Sequence, residues 1–464
     1  MEERFDLAVI GSGPGGYVAA IRAAQLGLKT VCIEKEKELG GTCLRVGCIP
    51  SKALLHSTEL LWKMQQESAE NGIHTSSIRA DFPQMMGRKK KIVEGFVKGI
   101  DGLFRKNGIV RLQGTATLQD PHTILIASQE GTKHIQAQSI LLASGSEPIP
   151  LPFLPFDEKK VLSSTGALAL GQVPKKLLVV GAGIIGVELG SVYSRLGSEV
   201  IFLEFSDRVC PSLDVALSRA LEKILTKQGM QFHFSHKVVK AELAAGITLT
   251  VEAAAGTSLF SGDAILVAIG RRPYSKELGL EALGIQKDPR GYVLIDSSFR
   301  TSIPNILAIG DLVEGSMLAH KASEEGIAAV EFLAGLSPQL DYMAIPNVAY
   351  TYPEVASVGL TEEAAKQAGL SIKTSSFPFK ANSRARCTGE EEGLVKMIMH
   401  QDTRRLLGVH ILGAHASELI AGPVFAMKSR ATVEQLAETC YAHPTLSEAI
   451  KEAALALTHG AIHM

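Results

Sequence analysis

The chain has 464 residues, too many for one ordinary core, and length alone predicts about three domains. Hydrophobic residues make up 46% and charged residues 20%, a globular composition that excludes a disordered tail and a membrane span. Formal net charge is -1 and the pI is near 6.9, so no global field draws the chain to nucleic acid or anionic lipid, and neither is expected as a partner.

No apolar run approaches the roughly 18 residues needed to cross a bilayer. The first strand is predicted to begin at Phe5 or Asp6, with no room ahead of it for a signal or transit peptide. The expected location is therefore cytoplasmic, or that of an already processed chain.

The first recognisable unit is Asp6–Gly16, a short apolar strand running into G-x-G-x-x-G at Gly11, Gly13 and Gly16. A helical pattern follows from Tyr17 to Leu26 and stops at Gly27; a second apolar strand, Thr30–Ile33, then delivers Glu34. In such a unit the first glycine permits the tight strand-to-helix turn. The second lets the backbone approach a pyrophosphate, and the third lets helix and strand pack closely. The pyrophosphate rests on the helix N-terminus, where unpaired N–H groups and the macrodipole favour negative charge. The acid at the end of the next strand accepts hydrogen bonds from a ribose.

Next comes Gly40–Lys52, GGTCLRVGCIPSK, in which Cys43 and Cys48 stand five residues apart. The glycines and the apolar, helix-like run after them place Cys43 near a helix start, where the dipole stabilises a thiolate and lowers its pKa. Five residues of ideal helix rise about 7.5 Å, more than the roughly 4.4–6.8 Å between the Cα atoms of a disulfide. A bridge between the two therefore needs a distorted turn, for which Gly47 and Pro50 are the candidate places. A strained bridge is easily reduced, as a catalytic one should be. A zinc half-site would want C-x2–4-C spacing and a second ligand pair, which the neighbourhood lacks. Two unrelated structural thiols remain the bland alternative. Lys52 follows Cys48 by four residues and shares its helix face; a buried lysine there needs a partner, and Glu188 is the candidate. Of six cysteines, Cys32, Cys210, Cys387 and Cys440 stand alone and read as small buried or surface residues. Arg88–Lys91, the one basic cluster, reads as a solvated helix face.

Residues 177–186 repeat the glycine plan as LLVVGAGIIG, with Gly181, Gly183 and Gly186. Its helix runs to Leu196-Gly197, and the strand Glu199–Leu203 delivers Glu204. Each acid follows its first glycine by 23 residues. One such motif is weak evidence; two in the same register imply two dinucleotides, and an enzyme with two usually passes hydride between them. Glu204 can bond a 2′-hydroxyl and repels a 2′-phosphate, so NAD is favoured over NADP, with Arg208 near enough to soften the preference. Near the C-terminus His443 precedes Glu448 by five residues at the start of a helical stretch predicted over Leu446–Leu457. That is a base with a group able to fix its tautomer, although most of the thirteen histidines carry no local signal.

Taken together, these segments resemble the pyridine nucleotide-disulfide oxidoreductases of class I over essentially the whole chain. The resemblance rests on Gly40–Leu55 (GGTCLRVGCIPSKALL), Gly181–Gly190 (GAGIIGVELG), Gly270–Pro273 (GRRP), Thr301–Asp311 (TSIPNILAIGD), Met317–Ala322 (MLAHKA) and His443–Ala449 (HPTLSEA). It implies an α/β fold with two Rossmann-like dinucleotide-binding domains plus an α+β C-terminal dimerisation domain. The implied limits are 1–149 for an FAD-binding domain, 150–270 for an NAD-binding domain, 271–340 for a central segment completing the FAD domain, and 341–464 for dimerisation. The implied activity is oxidation of protein-bound dihydrolipoamide with reduction of NAD, in a homodimer docked through lipoyl domains and the acyltransferase core of 2-oxoacid dehydrogenase complexes.

In residues, the resemblance makes Cys48 the flavin-facing thiol and Cys43 the interchange thiol, with a redox disulfide between them. His443 and Glu448 become base and orienter, supplied by the other subunit, and Lys52 with Glu188 stabilises charge at the flavin. For FAD it adds Ser12, Pro14 and Gly15 to the first glycine set, and Lys35 to Glu34. Gly41 and Thr42 lie beside it, Gly114-Thr115-Ala116 near the adenine, and Ser144-Gly145 in the turn before the NAD domain. Asp311 would hold the ribityl and phosphate region, and Met317, Leu318, Ala319 and His320 the flavin end. Ile184, Ile185, Val238, Ala268, Gly270 and Arg271 complete the cofactor set. The chain departs from the family pattern at Arg45 (commonly Asn), Ser144 (usually Thr) and Tyr441 (frequently His), and Arg45, standing between the cysteines, is a candidate for shifting the redox potential. Glu204 and the Leu446–Ala449 run argue against a glutathione-type reductase, and the C-terminus lacks the extra cysteine pair of a mercuric reductase. A purely structural subunit would have no physical need for both thiols, Lys52, His443 and Glu448.

Overall fold

The computed structural model describes residues 3–243 and 246–464. The chain divides into two compact units. The first gathers the residues up to Leu54 with Asp81–Ile149 and Gly270–Leu340; the second gathers Leu55–Ala80, Pro150–Ile269 and Asp341–Met464.

The N-terminal apolar run becomes strand β1 (Arg4–Ile10), followed by helix α1 (Pro14–Gln25) and strand β2 (Thr30–Glu34). Helix α1 starts at Pro14, three residues ahead of the sequence estimate, because proline is tolerated where the first N–H needs no helical partner. Helix α2 (Gly41–Val46) and helix α3 (Cys48–Gln66) come next, then helix α4 (Phe82–Lys106) and strands β3 (Val110–Gln113), β4 (Thr115–Leu118), β5 (Thr123–Ser128) and β6 (Gly131–Leu142). The basic cluster lies on α4, with Arg88, Lys90 and Lys91 exposed and Lys89 half-buried.

The sheet of the first unit runs β3-β2-β1-β6-β5-β4, and the strand Ile306–Ala308 also pairs with β6. Its β3-β2-β1-β6 part is parallel, as is the pairing of Ile306–Ala308, while β4 and β5 are antiparallel. A parallel sheet needs both faces covered. Leu7 and Val9 accordingly pack into a core with α1, α4 and the helix Ala319–Leu333, while Ala8 and Ile10 pack with Ile124, Ile126 and Leu280. Burying each of these Leu, Val and Ile side chains contributes about 1.5–3 kcal/mol of transfer free energy.

The second unit repeats the plan. Strand Lys176–Val180, helix Ile184–Arg195 and strand Glu199–Leu203 stand in a five-stranded parallel sheet with 161–162, 231–233 and 264–267. A three-stranded antiparallel meander covers Lys237–Leu243, Ile247–Ala253 and Gly256–Gly262. Its C-terminal part is a five-stranded antiparallel sheet whose buried face carries Val395, Met397, Val409 and Ile411, packed against Ile450, Ala453 and Leu457 of the last helix. That helix runs Glu448–Thr458, beginning two residues later than its sequence pattern, and in the turn before it the Thr445 and Ser447 hydroxyls bond each other.

Candidate active site

The two glycine turns have the same construction. Gly11 and Gly181 take φ of +100° and +98°, and a Cβ on either would overlap the carbonyl of Ala143 or Ala268 on the neighbouring strand end. A Cβ on Gly16 or Gly186 would strike the carbonyl of Gly11 or Gly181, so the third glycine lets the helix close on the strand. At Gly13 and Gly183, among the described residues, no atom lies within 4 Å of a Cβ position. The second glycine thus faces open space at a helix N-terminus, which is where a pyrophosphate fits.

The acids close each turn. Glu34 accepts from Ser12 N–H at 2.9 Å, from Ser12 Oγ at 2.6 Å and from Glu36 N–H at 3.0 Å. Glu204 accepts from Ala182 N–H at 2.6 Å and Ser206 N–H at 2.7 Å. Gly114 N–H donates to the Glu34 carbonyl at 2.9 Å, which puts the Gly114–Ala116 segment beside that acid. Lys35 stacks its ammonium over Tyr274, 4.1 Å from the ring centre. Arg208 is engaged by Asp207 at 2.9 Å and by the Pro211 carbonyl at 3.2 Å. Ile184 and Ile185 open the second helix, and Val238 is buried at the start of the meander.

The cysteine segment is seated on the first turn. Gly40 N–H reaches Ser12 O at 3.1 Å and Ser12 Oγ at 3.2 Å, and a Cβ on Gly41 would stand 2.5 Å from Gly13 Cα. Cys43 is the third residue of α2, Thr42 beside it is exposed, and the helix breaks at Gly47 before restarting at Cys48. The break falls at Gly47 alone; Pro50 sits inside the first turn of α3, where proline needs no kink. It brings the two sulfurs into hydrogen-bond contact.

The expected lowering of the Cys43 pKa is not found. Its bond to the Cys48 side chain pushes the Cys43 thiol upward, burial and the charge on Cys48 add to this, and Lys52 works the other way. Two thiols this close titrate as a pair, and Arg271 lies near enough to Cys48 to favour a charge there. Arg45 points out of the pair, 3.3 Å from Glu36.

Asp311 lies half-buried in a single 3-10 turn, Gly310–Leu312. It accepts from Ser146 Oγ, which accepts from Arg271 Nε at 2.8 Å, while Arg271 Nη2 reaches Ser146 O at 2.7 Å. The short antiparallel pairing of Ser146–Pro148 with Arg271–Pro273, which starts just after Gly270, brings these groups together. Ser144 keeps the hydroxyl of the more usual threonine and donates to Tyr274 O at 2.7 Å, and Tyr274 N–H returns to Gly145 O at 2.8 Å. Met317 and Leu318 lead into the helix that starts at Ala319 and His320. Ser146 and the Lys321–Glu325 pair behind Gly310 escaped the sequence reading; the i, i+4 spacing of the pair was the available signal.

In the second unit, Glu188 is buried and accepts from Tyr350 N–H at 2.9 Å. His443 Nδ1 stands 3.0 Å from Glu448 Oε1, and Thr445 N–H donates to Glu448 Oε2 at 2.8 Å. Burial works upward on the Glu448 carboxyl, but the Thr445 N–H and His443 outweigh it and hold the group below its usual range. The His443 side chain is 69% exposed, so its Nε2 face is open to a reactant while Glu448 fixes the other nitrogen. Tyr441 is half-buried.

Residues 5–326 match the model of the pyridine nucleotide-disulphide oxidoreductases, and residues 345–454 match that family's dimerisation domain. The chain belongs to this family. Among its relatives, the leghemoglobin reductase of Glycine max is 48% identical over 97% of this chain and 87% of its own length. Dihydrolipoyl dehydrogenase 1, mitochondrial, of Arabidopsis thaliana is 47% identical over 99% of this chain and 91% of its own length. The crystal structure of LpdA from Mycobacterium tuberculosis superposes with a TM-score of 0.90 at 28% identity, covering 98% of this chain and all of that one. Pyridine nucleotide-disulphide oxidoreductases of this kind use FAD and NAD(H), and the two dinucleotide turns fit that pair of cofactors.

Proposed function

We propose that this protein is a dihydrolipoyl dehydrogenase, oxidising protein-bound dihydrolipoamide to lipoamide and reducing NAD+ to NADH. The observation that carries the reading is the adjacent Cys43–Cys48 pair, seated on the first dinucleotide turn by Gly40 and Gly41. A thiol pair in hydrogen-bond contact is what a dithiol substrate needs in order to exchange.

With the pair in its disulfide form, a substrate thiolate attacks Cys43, the S–S bond breaks, and Cys48 leaves as the thiolate. The second substrate thiol attacks the substrate sulfur of the mixed disulfide; the cyclic lipoamide disulfide forms and Cys43 is released. His443, fixed by Glu448, takes the thiol proton, and the partner subunit of the homodimer supplies this dyad. Lys52 and Arg271 supply positive charge beside Cys48. FAD, when bound, supplies the two-electron relay from the dithiol to NAD+. The sum is dithiol and NAD+ giving disulfide, NADH and one proton.

The first turn, with Glu34, Gly114 and Asp311, is the proposed FAD site, and the second, with Glu204, the NAD site. The proposed domain limits follow the same division: 1–149, 150–270, 271–340 and 341–464. Lipoyl domains and the acyltransferase core of 2-oxoacid dehydrogenase complexes are the proposed partners. Cytoplasmic placement is carried as a proposal from the sequence, and a relative at 47% identity is named as mitochondrial, so cell fractionation decides the compartment.

The test is a steady-state assay with dihydrolipoamide and NAD+. Wild type is expected to turn over, and Cys43→Ser and Cys48→Ser to lose at least about a thousand-fold in kcat, on the scale of removing a covalent nucleophile. Undiminished turnover by either serine variant would contradict the proposed route.

A further inference from the structure

Behind Asp311 lies a buried ion pair that no step above uses. Lys321 and Glu325, one turn apart on the helix Ala319–Leu333, are each only 1% exposed, with Nζ 3.0 Å from Oε1. The second carboxylate oxygen accepts the Gly310 N–H at 2.7 Å, and the ammonium donates to the Gly310 carbonyl at 3.0 Å. The two peptide units flanking Gly310 are thus each held by one charge of the pair. Only glycine suits this place, at φ +72° with a Cβ position 3.2 Å from Ala322 Cβ, and a residue with that conformational freedom is fixed by its contacts rather than by its own side chain.

Stability alone is a poor reason for this arrangement. Buried ion pairs are often replaceable by apolar residues at no cost, and a cation in the first turn of a helix opposes the macrodipole. The pair instead makes three fixed contacts in one place, and the residue they aim is Asp311. From its other side Asp311 is held by Ser146, itself held by Arg271. The same helix packs on α1 so closely that a Cβ on Gly326 would stand 2.6 Å from the Gly15 carbonyl. One rigid element therefore connects the glycine turn to the Asp311 turn.

We infer that Lys321 and Glu325 are positioning residues that set the Asp311 carboxylate for the ribityl–phosphate part of FAD. The inference rests on reading the first dinucleotide turn as the FAD site. Removing the pair while leaving Gly310 in place lets the 310–311 peptide rotate, and Asp311 loses its aim without losing its charge.

The experiment is a double-mutant cycle read by FAD affinity of refilled apoprotein and by the visible circular dichroism of the bound flavin. The neutral double variant Lys321→Met/Glu325→Gln is compared with wild type, and the same change is made in Asp311→Asn. The FAD dissociation constant is expected to rise about ten- to a hundred-fold in the wild-type background, the range for groups that support a ligand-binding residue. In the Asp311→Asn background it should rise less than about three-fold, because coupled residues are non-additive. Glu325→Gln alone keeps an acceptor for Gly310 N–H and should fold and bind FAD with a smaller loss, which covers the case of a double variant that fails to fold. Equal loss in both backgrounds, or wild-type affinity and dichroism in Glu325→Gln and the double variant, would overturn the inference. Wild-type protein that takes up no FAD would overturn the cofactor reading itself, and this inference with it.

Discussion

Ser12 and Ala182 occupy the same place in the two dinucleotide turns, and one hydroxyl separates them. Ser12 Oγ donates to Glu34 at 2.6 Å and accepts from Gly40, whereas Ala182 gives Glu204 only its N–H. A hydrogen bond to a charged group contributes about 1.5–3 kcal/mol, so Ser12→Ala should weaken FAD binding about ten-fold or more while leaving the KM for NAD+ unchanged. Equilibrium FAD titration beside steady-state kinetics checks this. The His443–Glu448 dyad makes a second residue-scale prediction: His443→Gln should lower kcat by about 10²–10⁴-fold, the usual contribution of a positioned base. The Glu448 carboxyl is held low, so whatever it contributes is present above its unfolded value of about 4.3 and lost as pH falls through the lower folded one. A thermal midpoint that fell with acid in the same way in Glu448→Gln would contradict that contribution. Glu34, Glu204, Cys43 and Cys48 stand out in the sequence by their spacing, whereas His443 took its proposed role from the family resemblance. Ser146 and the direction of Arg45 were not legible, since their partners are set by the fold: Ser146 meets Arg271 across 125 positions of chain. For Lys321 the fold sets its contact with Gly310, while its i, i+4 partner Glu325 stood in the sequence.

At the scale of elements, a Cβ at Gly186 would overlap the Gly181 carbonyl. Gly186→Ala should therefore abolish NADH formation while the purified protein keeps its FAD. A second device secures the helix Val215–Lys227: Lys396 donates to both Asp214 oxygens at 2.9 and 2.8 Å and reaches Glu362 at 2.6 Å, while Asp214 caps the helix at Ala216. Lys396→Met leaves the buried Asp214 carboxylate without its cation, while Glu362 keeps Lys366, and should cost about 3–5 kcal/mol, read as a lowered thermal midpoint. Next to it His410 is buried, donates Nε2 to the Leu360 carbonyl at 2.9 Å, and has no partner for Nδ1 among the described residues. Burial pushes its pKa down, against the pull of Asp214 and Glu363 and together with Lys396. A depressed folded value means the neutral form stabilises the fold above about pH 6.5, and that support is lost as pH falls through the folded pKa. Thermal midpoints should drop between about pH 7.5 and 5.5 by more in wild type than in His410→Asn. The strand and helix pattern around both glycine turns could be read from periodicity, because a doubly covered parallel strand is a continuous apolar run. The exact helix starts at Pro14 and Glu448 are local: proline stands at the first position of one, and the other follows the Thr445–Ser447 turn, and periodicity encodes neither.

For the whole molecule, the sequence carried the repeat and therefore two dinucleotide units, but not how the chain groups. Leu55–Ala80 belongs to the same unit as Pro150–Ile269 and Asp341–Met464, whereas the glycine turn that precedes it in sequence belongs to the other. Residues 345–454 carry the family's dimerisation domain, and there Phe425 is 74% exposed on the helix Ala421–Lys428. An aromatic so exposed is a natural interface anchor. Phe425→Asp should shift the protein toward monomer in sedimentation experiments and lower specific activity at high dilution, as a base supplied by the partner requires; a fully active monomer would contradict that requirement. The central claim, a relay from dithiol through Cys48 and FAD to NAD+, is tested most directly by an anaerobic visible spectrum. Dihydrolipoamide should raise a long-wavelength band in the flavin spectrum, and NAD+ should then discharge it as NADH appears. A bound flavin that ignores dihydrolipoamide but responds to NADPH and another disulfide would contradict the account.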